Sequence, residues 1–206
     1  EAPTLWDIDF RTAVAQAELE DREMPGAYHR IRFTGADGGP GAEIETTRPE
    51  LIPACVALVA HPDDPRYQPL FGQHVITPLF GVSVPVRSHA LADPAKGSGI
   101  AMICTFGDVT DVTWWRELQL PVRAIVQGDG TLRPVAFGAP GWESVDVARA
   151  QQAYSALVGL SVSKARPVIV EQLRASGDLL AEPRPITHAV KFFEKGDRPL
   201  EIVTSR

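Results

Sequence analysis

Two short stretches hold residue types that can do chemistry together. The first is "TFGDVTD" (105–111), where Asp108 and Asp111 stand three positions apart. A strand end, a glycine and a helix start bring these carboxylates within one turn, and residues i and i+3 share a helix face. The second is "ETTRPE" (45–50), where a strand ends at Thr46 and Thr47. Pro49 restrains Arg48 toward an extended conformation. Two small hydroxyls and one guanidinium then face the same loop, with Glu50 just beyond. A plainer reading stands beside the chemical one. Asp108 on its own is a helix cap, and Asp111 a first-turn acid favoured by the helix dipole.

The remaining motifs are better explained by structure. "HPDDPRY" offers His61, Asp63 and Asp64, but its prolines favour a capped turn over a metal cluster. His29, His74, His89 and His188 are scattered without ligand spacing. "KGSGIA" lacks the GKS/T ending of a phosphate loop and reads as a turn before a strand. "SVSKARP" contains Ser-x-Lys, yet no Ser-His-Asp or Cys-His arrangement supports nucleophilic catalysis. Trp114 and Trp115 suit helix packing more than base stacking. Cys55 and Cys104 each sit in an apolar run and read as reduced core thiols.

These residues need elements to position them. "AYHRIRFTG" alternates as a strand, "ADGGPG" turns, and "GAEIETTRP" begins the next strand. A short helical turn broken by Pro53 leads into a buried strand over 55–60. "DDPRYQPLFG" reads as a capped helix start with Pro65 early, and "HVITPLFGVSVPVRSH" as two strands broken by Pro78 and Gly81. "GSGIAMICT" is a buried strand, and "DVTDVTWWRELQL" follows at helical spacing with Asp108 as its cap. "RAIVQGDGTLRP" reads as a hairpin, and "SVDVARAQQAYSALV" and "PVIVEQLRASGDLLAE" as amphipathic helices. "TAVAQAELE" suits either a helix or one arm of a ribbon, while "ITHAVKFF" and "LEIVTSR" read as strands. Many short strands with scattered helices favour a twisted β-barrel or α+β fold over a parallel βαβ array.

Composition narrows the function classes. The chain has 206 residues, which suits one domain or one with an appendage, and 44% are hydrophobic. No apolar stretch is long enough to cross a membrane. A net charge of −6 argues against nonspecific polyanion binding, though not against gripping one nucleotide. The chain starts without Met and reads as an excised piece of something larger, from the cytoplasm.

"TTRPE" followed by "GSGIAMICTFGDVTD" resembles the paired motifs of the editing domain inserted in valyl-, isoleucyl- and leucyl-tRNA synthetases. The stretch "VALVAHPDDPRYQPLFGQHVITPLFGVSVPV" is similar to that domain's centre. "HAVKFFEKGDRPLEIVTSR" is similar to the return into the body of the valyl enzymes, and "LWDIDFRTAVAQAELE" to the ribbon leaving it. The resemblance implies an α+β, mostly β fold: a twisted closed β-barrel core, peripheral helices, and a β-ribbon to the synthetase body. Residues 1–206 would form the editing domain, with 1–25 and 186–206 as connecting segments.

By that resemblance, Asp111 holds the α-ammonium of a mischarged amino acid and Asp108 helps read its side-chain hydroxyl. Thr46, Thr47 and Arg48 border the terminal adenosine and the scissile ester, with Thr47 joining the two acids as catalytic, and Glu50 belongs to the same loop. The implied chemistry is attack of a positioned water on an aminoacyl ester. No metal or cofactor is implied in this segment, while the parent enzyme uses ATP and Mg. The implied partners are the acceptor end of valine tRNA bearing threonine, and the rest of the synthetase. Family patterns place lysine and threonine where Met102 and Cys104 stand, histidine at Gly107 and threonine at Leu51. The hydrogen bonds around the substrate must therefore differ. Two rival readings remain: a non-hydrolytic module that docks the tRNA acceptor end, and an editing domain of an isoleucyl or leucyl enzyme.

Overall fold

The run Cys-Val-Ala-Leu-Val-Ala forms a strand buried at every position (Cys55–Ala60). Such an uninterrupted apolar run suits a strand covered on both faces. The computed structural model describes residues 2–205, with the backbone alone at Ser205. In chain order the strands are β1 (Ala2–Asp7), β2 (Thr12–Ala13), β3 (Leu19–Gly35), β4 (Ala42–Thr46) and β5 (Cys55–Ala60). There follow β6 (His74–Ile76), β7 (Ser83–Ser88), β8 (Ile100–Cys104), β9 (Arg184–Phe193) and β10 (Glu201–Ser205). The helices are α1 (Val109–Glu117), α2 (Val147–Ser155) and α3 (Val162–Ser176).

Strand β3 serves two partners. Its first half pairs with β9 from Leu19↔Phe193 to Tyr28↔Arg184, a long antiparallel ribbon. Its second half pairs with β4, from His29↔Thr46 to Phe33↔Ala42. There burial alternates, with His29, Ile31 and Phe33 inside and Arg30 and Arg32 outside, as a period of two requires. The main sheet runs β4-β3-β6-β7-β5-β8, and β1 and β10 join β2 in a separate three-stranded sheet.

This is an α+β fold with more strand than helix, but the expected closed barrel is not formed. Strands β4 and β8 stand at opposite ends of the hydrogen-bonded path and do not pair with each other. Closure needs a continuous ladder around the ring, and here the ends approach through a side chain: Ser98 Oγ accepts from the Glu45 amide at 3.2 Å.

Helices α2 and α3 cover the main core, where Ala150, Tyr154, Ala165, Ile169 and Leu173 pack with Ile31, Ile44, Leu58 and Phe80. Helix α3 starts earlier than "PVIV" suggests, because Ser161 caps it by accepting from the Lys164 amide. Pro167 therefore lies inside it, and Gly177, in the left-handed region, ends it. "TAVAQAELE" takes the ribbon alternative, as β2, a 3₁₀ turn at Gln16–Glu18 and the start of β3. No helix begins at Pro65: Asp64 Oδ1 accepts from the Arg66 amide, and a 3₁₀ turn follows at Gln68–Leu70. The expected hairpin forms as a short one: Val126 and Leu132 bridge antiparallel, the Gln127 amide donates to the Thr131 carbonyl and the Arg133 amide to the Ile125 carbonyl. Among the described residues no helix is long and apolar enough to cross a membrane.

Candidate functional site

Strand β4 delivers Thr46 to the end of the main sheet, where the chain turns into a 3₁₀ segment, Pro49–Ala54. Thr46 Oγ1 accepts from the Arg48 amide at 3.0 Å, closing the turn, and Thr47 stands half-buried between them. Arg48 then reaches across the fold. Its Nε donates to Glu50 Oε1 (3.2 Å) and its Nη1 to the Gly107 carbonyl (3.0 Å). Its Nη2 donates to both carboxylate oxygens of Glu201 (3.0 and 2.8 Å). These bonds anchor the guanidinium to protein groups.

Glu50 is fully buried and held from two sides. Besides Arg48, Arg166 of α3 donates from Nε to Oε2 (3.0 Å) and from Nη2 to Oε1 (2.9 Å). Burial works to raise its pKa, but the Arg166 hydrogen bonds and the charges of Arg48 and Arg166 outweigh it. They hold the carboxyl below its ordinary value. Glu50 is thus a structural anion that ties the "TTRPE" loop to α3.

The second motif meets the first at Gly107. Strand β8 ends at Cys104, a cis Thr105–Phe106 peptide follows, and α1 begins at Val109. Asp108 is the helix cap, its Oδ1 accepting from the Asp111 amide at 3.0 Å. Asp111 Oδ2 accepts from the Gly107 amide at 2.8 Å. Gly107 thus presents its carbonyl to Arg48 and its amide to Asp111. A side chain there would collide, since a Cβ would lie 2.6 Å from Asp111 Oδ2.

The two acids differ in setting. Asp108 is exposed, whereas Asp111 is 6% exposed. Burial first, and the negative charge of Asp108 second, push the Asp111 carboxyl well above the usual carboxylate range. Along β8, Met102 is half-buried and packs on the core, and Cys104 is buried opposite Cys55 in the β5–β8 register. Burial pushes the Cys104 thiol up as well. A cleft of about 460 Å³ lies elsewhere, lined by residues that include Trp6, Val126, Gly128 and Val203.

The structure therefore brings Thr46, Arg48, Glu50, Asp108 and Asp111 into one bonded cluster. It also adds three residues the sequence reading missed. Arg166 and Glu201 complete the ion network, and His29, buried opposite Thr46, places Nδ1 3.2 Å from the Thr46 carbonyl. Trp114 is buried among Val56, Val59 and Ile103, and Phe106 meets Trp115 edge-on, so both indoles pack rather than form a stacking platform. Among the described residues no group of three or more His, Cys, Asp or Glu side chains is placed to hold a metal.

No protein-family model matches the chain. Curated relatives do, over its whole length. It is 68% identical over 206 residues to a valine–tRNA ligase of Thermobifida fusca. The chain is similar to one segment of valine–tRNA ligases. A second such ligase, from Leifsonia xyli subsp. xyli, is 66% identical over 205 residues. The chain spans 23% of the length of each of these relatives. In fold it is similar to part of a crystal structure of a ternary complex of Agrobacterium radiobacter K84 LeuRS with tRNA and LeuAMS. That match has a TM-score of 0.53 at 17% identity, over 81% of this chain and 20% of the other.

Proposed function

We propose that this chain is the editing unit of a valine–tRNA ligase, and that it hydrolyses the ester of threonine mischarged onto valine tRNA. The observation that carries the reading is the junction at Gly107, where the two motifs are bonded into one unit. Arg48 holds the carbonyl at 3.0 Å and Asp111 the amide at 2.8 Å. The match to valine–tRNA ligases supports the same reading. On this reading residues 1–25 and 186–206 connect the unit to the rest of the ligase.

The need for such a unit follows from shape. Threonine and valine are near isosteres, and an apolar pocket that accepts valine rejects threonine by only about 10²-fold, the established figure for the valyl enzyme. A second site that must satisfy its own polar groups can demand the hydroxyl instead. In this account Asp111 receives the α-ammonium of threonine and Asp108 the side-chain hydroxyl. An empty Asp111 sits in a setting that favours its neutral form, and the arriving ammonium supplies the opposite charge that favours the ionised one. Thr46 and Thr47 border the terminal adenosine and the ester. Water attacks the ester carbonyl carbon, the bond to the ribose oxygen breaks, and threonine and a free ribose hydroxyl result. Positioning and electrostatics carry the rate, without a protein nucleophile.

The near-complete burial of Asp111 favours one rival, a module that only binds the tRNA acceptor end. Two measurements on a complete ligase carrying this segment separate the readings: threonine release from mischarged valine tRNA, and titration with a non-hydrolysable threonyl-adenosine analogue. Release together with binding supports editing. Binding without release refutes it in favour of the docking module.

A further inference from the structure

Glu201 takes no part in either sequence motif, yet it makes the closest contact to Arg48. It is the first residue of β10 and lies opposite Trp6 of β1, inside the three-stranded sheet built from the two chain ends. It is 7% exposed, and Arg48 Nη2 donates to both of its oxygens at 3.0 and 2.8 Å. A buried carboxylate is costly unless it is paired and hydrogen-bonded, and Arg48 supplies that pairing. The same guanidinium holds the Gly107 carbonyl, and the Gly107 amide holds Asp111.

A bonded path thus runs from the terminal sheet to the acid that the proposed function assigns to the substrate ammonium. Arg48 is planar and its donors are fixed relative to one another, so the direction imposed at Nη2 also sets the direction of Nη1. Glu50 grips Nε and the Gly107 carbonyl accepts from Nη1; Glu201 fixes the remaining nitrogen, Nη2, through both of its oxygens.

We infer that Glu201 is a positioning residue for ester hydrolysis: by orienting Arg48 it fixes Gly107 and so places the Asp111 carboxylate. The inference rests on the editing reading. It makes the terminal strand, the part of the unit adjoining the rest of the ligase, a determinant of the turnover rate at the site.

The test compares Glu201→Gln with Glu201→Asp in a complete ligase carrying this segment, measuring kcat and KM for threonine release from mischarged valine tRNA. Glu201→Gln removes the charge. Glu201→Asp keeps the charge and retracts it by one methylene, which preserves the buried pairing and guards against failure to fold. Misplacement of a catalytic group by about 1 Å costs up to about 100-fold. The expected result is a kcat lowered about tenfold or more in Glu201→Gln and by less in Glu201→Asp, with KM within about twofold of the parent. A variant that merely loosened the fold would lose active protein in proportion to its melting and leave kcat per folded molecule unchanged. Unchanged kcat in the folded variants overturns the inference while leaving the editing reading intact. Absence of threonine release from the unmodified ligase overturns the editing reading itself.

Discussion

Asp111 Oδ2 accepts a hydrogen bond from the Gly107 amide at 2.8 Å, and a Cβ at position 107 would stand 2.6 Å from that same oxygen. A residue with a Cβ at this position therefore fits only if the Asp111 carboxylate shifts. Gly107→Ala is expected to push the Asp111 side chain away, with the new methyl in ordinary contact with Leu51 Cδ1 at 3.4 Å. Overpacking of this kind costs about 1–3 kcal/mol. Urea denaturation should show that loss, and threonine release should fall with it.

Asp111 should leave a signature in the pH dependence of stability. Its carboxyl titrates well above the usual range because it is buried and faces Asp108. Between the ordinary carboxylate value and the raised one, the native state binds more protons than the unfolded state. Stability therefore falls as pH rises through that window. Asp111→Asn removes the titration while leaving an acceptor for the Gly107 amide. Its thermal melts, compared with the parent from acid to neutral pH, should show a flatter profile and a gain in relative stability toward neutral pH.

Asp108 acts as a helix cap and as a negative charge beside Asp111. Asp108→Ala removes the acceptor for the Asp111 amide, which costs about 1 kcal/mol for a helix cap. It also removes a negative charge that helps raise Asp111, so the pH-dependent loss of stability should be smaller and end at a lower pH than in the parent. Denaturant titrations at several pH values report both effects.

Glu50 has the opposite sign. Arg166 and Arg48 hold its carboxyl below its ordinary value despite burial, so its contribution is present above the unfolded pKa and lost as pH falls through the folded one. Glu50→Ala leaves both arginines without this partner. Breaking a buried pair on one side costs about 3–5 kcal/mol, which guanidinium denaturation at neutral pH should detect.

Local chemistry was legible in the sequence; long-range closure was not. The buried run at 55–60 and the Asp108 cap are set by residues within a few positions of one another, and both form as their patterns imply. The start of α3 was obscured because Pro167 resembles a helix opener, whereas the capping Ser161 lies six positions earlier. The barrel reading failed for a different reason. Whether β4 and β8 pair depends on the accumulated twist and register of every strand between them, and no single segment encodes that sum. In the site, "TTRPE" and "GDVTD" mark the two halves, but the partners that fix Arg48 and Glu50 do not lie near them. Glu201 is 153 residues from Arg48, and Arg166 is 116 from Glu50, with nothing local to mark either.

The most direct test of the account is threonine release from mischarged valine tRNA by a complete ligase carrying this segment, with and without Asp111→Ala. A hydrogen bond to a charged group is worth about 1.5–3 kcal/mol, and each 1.4 kcal/mol is about tenfold in rate. If Asp111 holds the substrate ammonium, the unmodified protein releases threonine and Asp111→Ala loses about ten- to 100-fold or more of that rate. Release at the parent rate by a folded Asp111→Ala protein would contradict the account.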